Sequence, residues 1–337
     1  MTDLESAFAA DDFPITQVPS DPLWTENYAL SLNDSANRIG LIAFLGRWCG
    51  DAALWREAVS IALPGNRIVC IKNFGRAASS TVASAALLEL EVVKPGECIR
   101  LIYDGLAYEQ QRDALFAGGM SPTVAKRCRF DLLWTGVAPI WSMSGHGHDS
   151  AEISGKLHIE QIGRGDGYIE FDGARWNVQA AFTNRDHSRG IRRLDRFHRS
   201  CWAQGYFPKT DLTFSVYAIG MFGVEGLAMA NASITQAGKR YPATISAVDM
   251  PADASEMMHR YRMVLSSELG TLELTNIETL TSASLSAVSP WDLHHGALPG
   301  VPSIRVVEEA VRWESAGNTG LGWSERCFTP NAVHHCR

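Results

Sequence analysis

No stretch of this chain reaches the roughly 18 to 20 consecutive apolar residues that a bilayer-spanning helix needs, so no membrane span is expected. Its opening segment, MTDLESAFAADDFPIT, is acidic and lacks both a basic region and an apolar core, so no secretion signal is expected. The seven cysteines (Cys49, Cys70, Cys98, Cys128, Cys201, Cys327 and Cys336) are scattered, odd in number and without a C-x-x-C pair. Such a set reads as mostly buried, reduced thiols in a cytoplasmic protein. There is no broad cationic excess either: a formal charge of −7 argues against wrapping nucleic acid.

Familiar catalytic signatures are missing too. There is no G-x-S-x-G elbow and no P-loop, and GNTGLG (Gly317 to Gly322) has the glycine spacing of a dinucleotide fingerprint reversed, with no strand-then-helix context. HGHD (His146 to Asp149) lacks the spacer and the following histidine of a metallo-hydrolase pattern. His294, His295 and the tail CFTPNAVHHC are equally loose. No metal and no organic cofactor are expected. Internal repeats and low-complexity linkers are absent, and WSMSGHGHDSAEISG (Trp141 to Gly155) comes nearest to a linker.

What remains is a chain of 337 residues, 46% hydrophobic and 20% charged, enough to bury a substantial core in one large domain or two. Short runs rich in β-branched and aromatic residues alternate with turn residues. NRIVCIKNF, ALLELEVV and ECIRLIYDG are strand-length, and KPG joins the last two as a hairpin. GYIEF and ARWNVQAAF flank Asp172-Gly173, a second hairpin. On its return strand the period of two predicts Trp176, Val178 and Ala180 on a dry face, opposite Arg175, Asn177 and Gln179. Further strands follow at regular spacing, which favours antiparallel barrels or sandwiches over a βαβ sheet. Helix is expected only locally, at Tyr108 to Phe116 and Val124 to Phe130, as caps on an opening.

One stretch breaks the pattern. AAFTNRDHSRGIRRLDRFHRS (Ala180 to Ser200) places six arginines, two histidines and two aspartates directly after an apolar strand. If the strand continues, Arg185, His187 and Arg189 face one way and Asp186 and Ser188 the other. Buried charges need partners, and Asp186 can serve Arg189 or Arg192, so a structural ion-pair network is one reading of the arginines. His187 is a candidate for proton transfer near neutral pH. A partnership between Asp186 and His187 would require a bulge or a strand end at that point.

The run HIEQIGRGDGYIEFDGARWNVQAAFTNRDHSRGIR (His158 to Arg192) resembles the signature of a bacterial group in which H-x-E-Q leads through a D-G hairpin to R-D-H-S-W-G-x-R. That group is similar to carotenoid 1,2-hydratases (hydroxyneurosporene synthases), fungal kievitone hydratases and their lipocalin-like relatives. DPLWTENYALSL with WREAVSIALPGNRIVCIK resembles the group's N-terminal barrel, and GNTGLGWSERCF its closing strand. One position departs: Arg189 stands where the pattern has tryptophan.

The resemblance implies an all-β fold of two tandem lipocalin-like antiparallel β-barrels with short capping helices, spanning 1–180 and 181–337. It implies a cofactor-independent lyase, a hydratase, dehydratase or aldehyde-releasing C–C lyase, acting on a hydrophobic, oxygenated aromatic or terpenoid molecule. An isomerase or cyclase on the same substrates and a non-catalytic carrier are the alternatives. His187 would be the acid/base, Asp186 its orienting partner and Glu325, the acid of the closing strand, a second proton-transfer group. Arg189 and Arg192 would bind a phenolate, carboxylate or oxyanion, and His158, Gln161 and Glu26 would line the pocket. The partner expected is a small molecule, with homo-oligomerisation left open.

Overall fold

The computed structural model describes residues 10–76, 82–143, 157–191, 196–253, 260–288 and 292–330. The chain divides into two compact units, Met1–Gln111 with Met120–Arg192, and Arg112–Gly119 with Arg193–Arg337. The boundary expected at 180/181 falls inside a strand of the first unit.

The first unit contains β1 (Trp24–Asp34), β2 (Ile39–Trp48), β3 (Asp51–Leu63), β4 (Arg67–Arg76), β5 (Val82–Ser84) and β6 (Leu88–Lys94). They are followed by β7 (Cys98–Gln111), β8 (Lys126–Gly136), β9 (Trp141–Ser142), β10 (Leu157–Phe171) and β11 (Ala174–Ile191). Antiparallel pairing runs β4-β3-β2-β1-β11-β10-β8-β7, and β4 pairs back onto β7, so the sheet closes into an eight-stranded barrel.

The second unit contains β12 (Phe197–Phe207), β13 (Leu212–Met221), β14 (Met229–Gln236), β15 (Lys239–Val248) and β16 (Arg262–Ser267). It ends with β17 (Gly270–Val288), β18 (Asp292–His295), β19 (Ile304–Ser315) and β20 (Asn318–Phe328). This sheet runs β16-β15-β14-β13-β12-β20-β19-β17, and the β16–β17 pairing closes it in turn. Eight strands leave an interior that side chains can fill or that can hold one small ligand.

Turn chemistry sets these hairpins. Asp172 and Gly173 have φ of 52° and 82°, the paired positive values of a tight two-residue hairpin turn, and β10 and β11 zip from it. Ala316 and Gly317, at 48° and 77°, do the same between β19 and β20. GNTGLG is therefore the start of a hairpin arm. The KPG hairpin forms between β6 and β7. Helix is scarcer than expected: of the stretch Tyr108 to Phe116, Tyr108–Gln111 completes β7 and α1 (Arg112–Phe116) is helical, while Lys126–Phe130 opens β8. In β8, Cys128, Phe130, Leu132 and Trp134 are buried at every second position, so strand periodicity prevails.

Each barrel has its own core. Tyr28, Leu30, Leu32, Trp55, Trp134, Ile169 and Phe171 pack inside the first, and Phe214, Met263, Leu265, Leu274 and Trp313 inside the second. The expected burial agrees: Cys49, Cys70, Cys128, Cys201 and Cys327 are buried, Cys98 is half-buried, and Cys336 lies outside the described residues.

The dry face of β11 departs from simple alternation at one place. Trp176 and Val178 pack against the core as expected, but Ala180 is exposed with φ of 48°. Between the pairs Gly165↔Ala181 and Gly167↔Val178, two residues of β11 (Gln179 and Ala180) oppose one of β10 (Asp166). This is a β-bulge. The Asp166 carboxylate clasps it by accepting the Ala180 N–H at 2.9 Å. Beyond it the register is regular to Arg189, and the inward positions become Ala181, Thr183, Arg185, His187 and Arg189.

A left-handed conformation costs a non-glycine residue about 1–2 kcal/mol. Ala180→Gly is therefore expected to raise stability by about 0.5–1 kcal/mol, net of the greater freedom of glycine in the unfolded chain. Urea unfolding followed by tryptophan fluorescence checks it; a lower midpoint would mean that the alanine methyl contributes packing.

Candidate active site

Strand β11 carries charge on both faces, and both are buried. On the inner face, the β1 register sets Tyr28 opposite His187, Leu30 opposite Arg185 and Glu26 opposite Arg189. His187, fully buried, lies 3.1 Å through Nε2 from Glu26 Oε1 and stacks on Tyr28 with ring centroids 3.9 Å apart. Arg47 Nε donates to the other Glu26 oxygen at 2.8 Å, and the Ile15 N–H donates to Oε1. Arg185 donates to Asp12 at 2.6 Å and to Gln161 Oε1 at 2.8 Å, with its guanidinium over the Trp134 ring. Gln161 in turn donates to the carbonyls of Gly96 and Ala138. Arg189 pairs with Asp11 and approaches Glu26 at 3.8 Å.

The segment from Ala10 to Ile15 seals this end of the barrel. Asp12 sits in a 3-10 turn (Ala10–Asp12) and is only 1% exposed; its backbone carbonyl accepts the Tyr28 hydroxyl. Arg47 Nη2 holds the Ile15 carbonyl at 2.7 Å. The inner cluster is thus a chain of paired charges under a plug. Burial pushes the Glu26 carboxyl up, but His187 and Arg47 outweigh it and hold the group below its ordinary 4.5.

The outer face of the same strands carries a different group. His158 of β10 lies opposite Ser188, and Glu160 opposite Asp186. The His158 Nε2 contacts Asp186 Oδ2 and lies 3.9 Å from Glu160 Oε1; Ser188 Oγ donates to Asp186 Oδ1 at 3.4 Å. All four residues are buried, with Asp186 the most exposed at 9%. One donor atom from each of His158, Glu160 and Asp186 lies within 4.8 Å of the others, a grouping that could also hold a metal ion.

The expected partnership of Asp186 with His187 is corrected. Pairing through both residues is regular, so they point to opposite faces, and the bulge that could have joined them sits at Ala180 instead. Asp186 partners His158 and His187 partners Glu26. Arg189 takes Asp11 rather than Asp186. Of the expected residues, the structure brings Glu26, Gln161, His187 and Arg189 into the inner cluster and His158 and Asp186 into the outer one. Arg192 and the His146 to Asp149 segment lie outside the described residues.

Glu325 belongs to the second unit. The β19–β20 register sets it directly opposite Glu308, two carboxyls side by side on one face of the sheet. Trp323 Nε1 donates to Glu308 at 2.6 Å, and the Cys327 thiol lies 3.3 Å from Glu325. Burial, then the charge and hydrogen bond of Glu325, push the Glu308 carboxyl well above its ordinary value. Residues that pattern reading missed are Asp12, Arg47, Glu160 and Glu308. Only Glu160 had a local signal, its strand spacing from His158.

The profile described as Domain of unknown function (DUF7064) matches residues 9–330. No curated protein sequence matches the chain. Among solved structures, CghA in complex with Sch210972 is similar, with a TM-score of 0.58 at 10% identity over 96% of each chain. A putative AttH from Nitrosomonas europaea scores 0.56 at 12% identity, covering 95% of this chain and 99% of its own. Kievitone hydratase from Nectria haematococca scores 0.47 at 10% identity, covering 91% and 89%. At these identities CghA and the AttH protein share the fold. Among the described residues no helix is long and apolar enough to cross a membrane.

Because the folded Glu26 carboxyl titrates below its ordinary 4.5, its contribution is fully present above pH 4.5 and is lost as the pH falls through the lower folded value. Glu26→Gln leaves Arg47 and His187 without their carboxylate and is expected to cost about 3 kcal/mol at neutral pH. Urea titrations of both proteins should converge in acid. A constant difference from pH 7 to pH 3 would show that Glu26 acts through shape alone.

Proposed function

This chain belongs to the DUF7064 family, and from that premise we propose that it is a lyase of the hydratase or dehydratase kind. Its substrate is a hydrophobic, oxygenated aromatic or terpenoid molecule, and its chemistry is acid/base. Adding water across a double bond requires one group to give a proton to carbon while water oxygen bonds to the neighbouring carbon. A base then takes the proton that water sheds, and elimination is the reverse.

The observation that carries this reading is the His158–Asp186 contact, buried and supported by Ser188, with Glu160 close by. A carboxylate on one imidazole nitrogen fixes tautomer and ring orientation and stabilises the imidazolium once it forms. Proton transfer therefore moves from His187 to His158. His187 is wholly enclosed, stacked on Tyr28 and roofed by the Ala10–Ile15 plug, and its role is to hold the barrel end together. Glu325, expected as a second proton-transfer group, lies in the second unit opposite Glu308, and this reading gives it no part in the step. The fold supports a small-molecule site, since CghA was solved with Sch210972. A second reading, a divalent ion held by His158, Glu160 and Asp186, rests on the closeness of their donor atoms.

The test is mass spectrometry of phenolic and terpenoid mixtures incubated with the protein, with and without a chelator. Gain or loss of water is expected with wild type. His158→Gln should lower turnover about 100-fold or more at a nearly unchanged melting temperature, whereas His187→Gln should lower the melting temperature. A chelator effect reversed by added divalent ions would replace the cofactor-free reading with the metal one. Release of an aldehyde would make it a C–C lyase, and a product of unchanged mass an isomerase or cyclase. Compounds retained unaltered by all three proteins would make it a carrier.

A further inference from the structure

A cavity of about 790 Å³ opens in the second unit between the end of α1 and the loop from β18 to β19, within the range of small-molecule pockets. Contacts within the unit hold its walls. The Ala297 N–H donates to the Leu115 carbonyl at 2.9 Å, and Arg305 Nη2 donates to the Phe116 carbonyl at 2.7 Å. Gly118, with φ of 81°, lies so close to Pro299 that a Cβ there would clash with the proline ring. Walls fixed in this way need no ordering by a ligand, and a preformed site loses less entropy on binding.

The lining is mainly apolar, with Phe116, Leu298, Val301, Phe328 and three prolines supplying most of it. Its two serine hydroxyls are already committed: Ser286 Oγ donates to the Gly296 carbonyl at 2.9 Å and Ser303 Oγ to the Val301 carbonyl at 3.2 Å.

Arg305 is different. Half-buried in this wall, its guanidinium has the Phe116 carbonyl as its one polar partner among the described residues, and none of their carboxylates pairs with it. Nε is enclosed without an acceptor, whereas Nη1 is neither engaged nor enclosed. Burial lowers the Arg305 pKa with no neighbouring charge to offset it, yet an arginine keeps its proton near neutrality. A partly desolvated cation without a counter-ion is unfavourable, and an anion reaching Nη1 would offset that cost.

We propose that this cavity binds an amphipathic organic acid, its carboxylate on Arg305 Nη1 and its apolar body against Phe116, Leu298, Val301 and Phe328. A charge-assisted hydrogen bond favours the carboxylate over an alcohol, and the apolar wall favours an organic acid over inorganic phosphate. The site uses no residue of the His158 group, which belongs to the first unit.

Displacement of 11-(dansylamino)undecanoate by undecanoate and by undecanol tests the proposal on the whole chain. Wild type is expected to bind the probe and to prefer undecanoate to undecanol about tenfold or more. Arg305→Gln should bring the acid down to the level of the alcohol. Val301→Glu, at an exposed position of the rim, should weaken the acid by a similar factor while the Arg305–Phe116 contact stays in place. Absence of probe binding, equal displacement by the alcohol, or a preference for the acid unchanged in variants that melt like wild type would overturn the proposal. If Arg305→Gln does not fold, Val301→Glu decides alone.

Discussion

One side-chain clasp decides which residues of the first unit see the inside of the barrel. Asp166 holds the N–H of Ala180, and two residues of β11 are accommodated opposite one of β10. Without that extra residue the period of two would carry Thr183, Arg185, His187 and Arg189 to the outer face and bring Asp186 and Ser188 inside. The inner salt bridges, the Tyr28–His187 stack and the His158–Asp186 contact all depend on that shift. A bulge is a conventional means of re-aiming side chains, and here it turns His187 inward to Glu26 and leaves Asp186 on the other face beside His158.

The two histidines sit in different environments. His187 has a carboxylate, an aromatic stack and a sealed surround, and the Arg47 and Arg189 guanidinium groups also converge on its carboxylate. Removing Glu26 takes the shared carboxylate from all three at once, so the cluster depends most on that residue. His158 has its carboxylate partner on the other face of the sheet, with a second carboxyl at 3.9 Å. In the second unit Glu308 and Glu325 repeat the principle with like charges: burial first, and then the carboxyl directly opposite, push Glu308 well above its ordinary value.

The all-β architecture was legible in the sequence because β-branched runs, Asp172-Gly173 and KPG carry their own geometry. The helix expected at Val124 to Phe130 was not, because alternation in β8 begins only at Cys128 and needs the barrel to express it. The facing of Arg185, His187 and Arg189 followed from period alone, yet which face they occupy hinged on Ala180, a residue with no sequence signal for a left-handed turn. Partners were the least legible layer. Asp11 and Asp12 reach Arg189 and Arg185 across most of the unit's chain, and Glu308 meets Glu325 only through the register of a hairpin. Local pattern has no access to such pairings.

The two barrels also close differently. In the second, β16 turns straight into β17 through Glu268 and Leu269, so its β16–β17 seam is a local hairpin. In the first, the corresponding seam joins Arg67–Cys70 of β4 to Tyr108–Gln111 of β7 with β5 and β6 looped out between them. Closing a longer loop costs more chain entropy, and four residue pairs give little in return. That short seam is where the first barrel would part earliest under load or heat, and amide exchange along Arg67–Cys70 would be the first to report it.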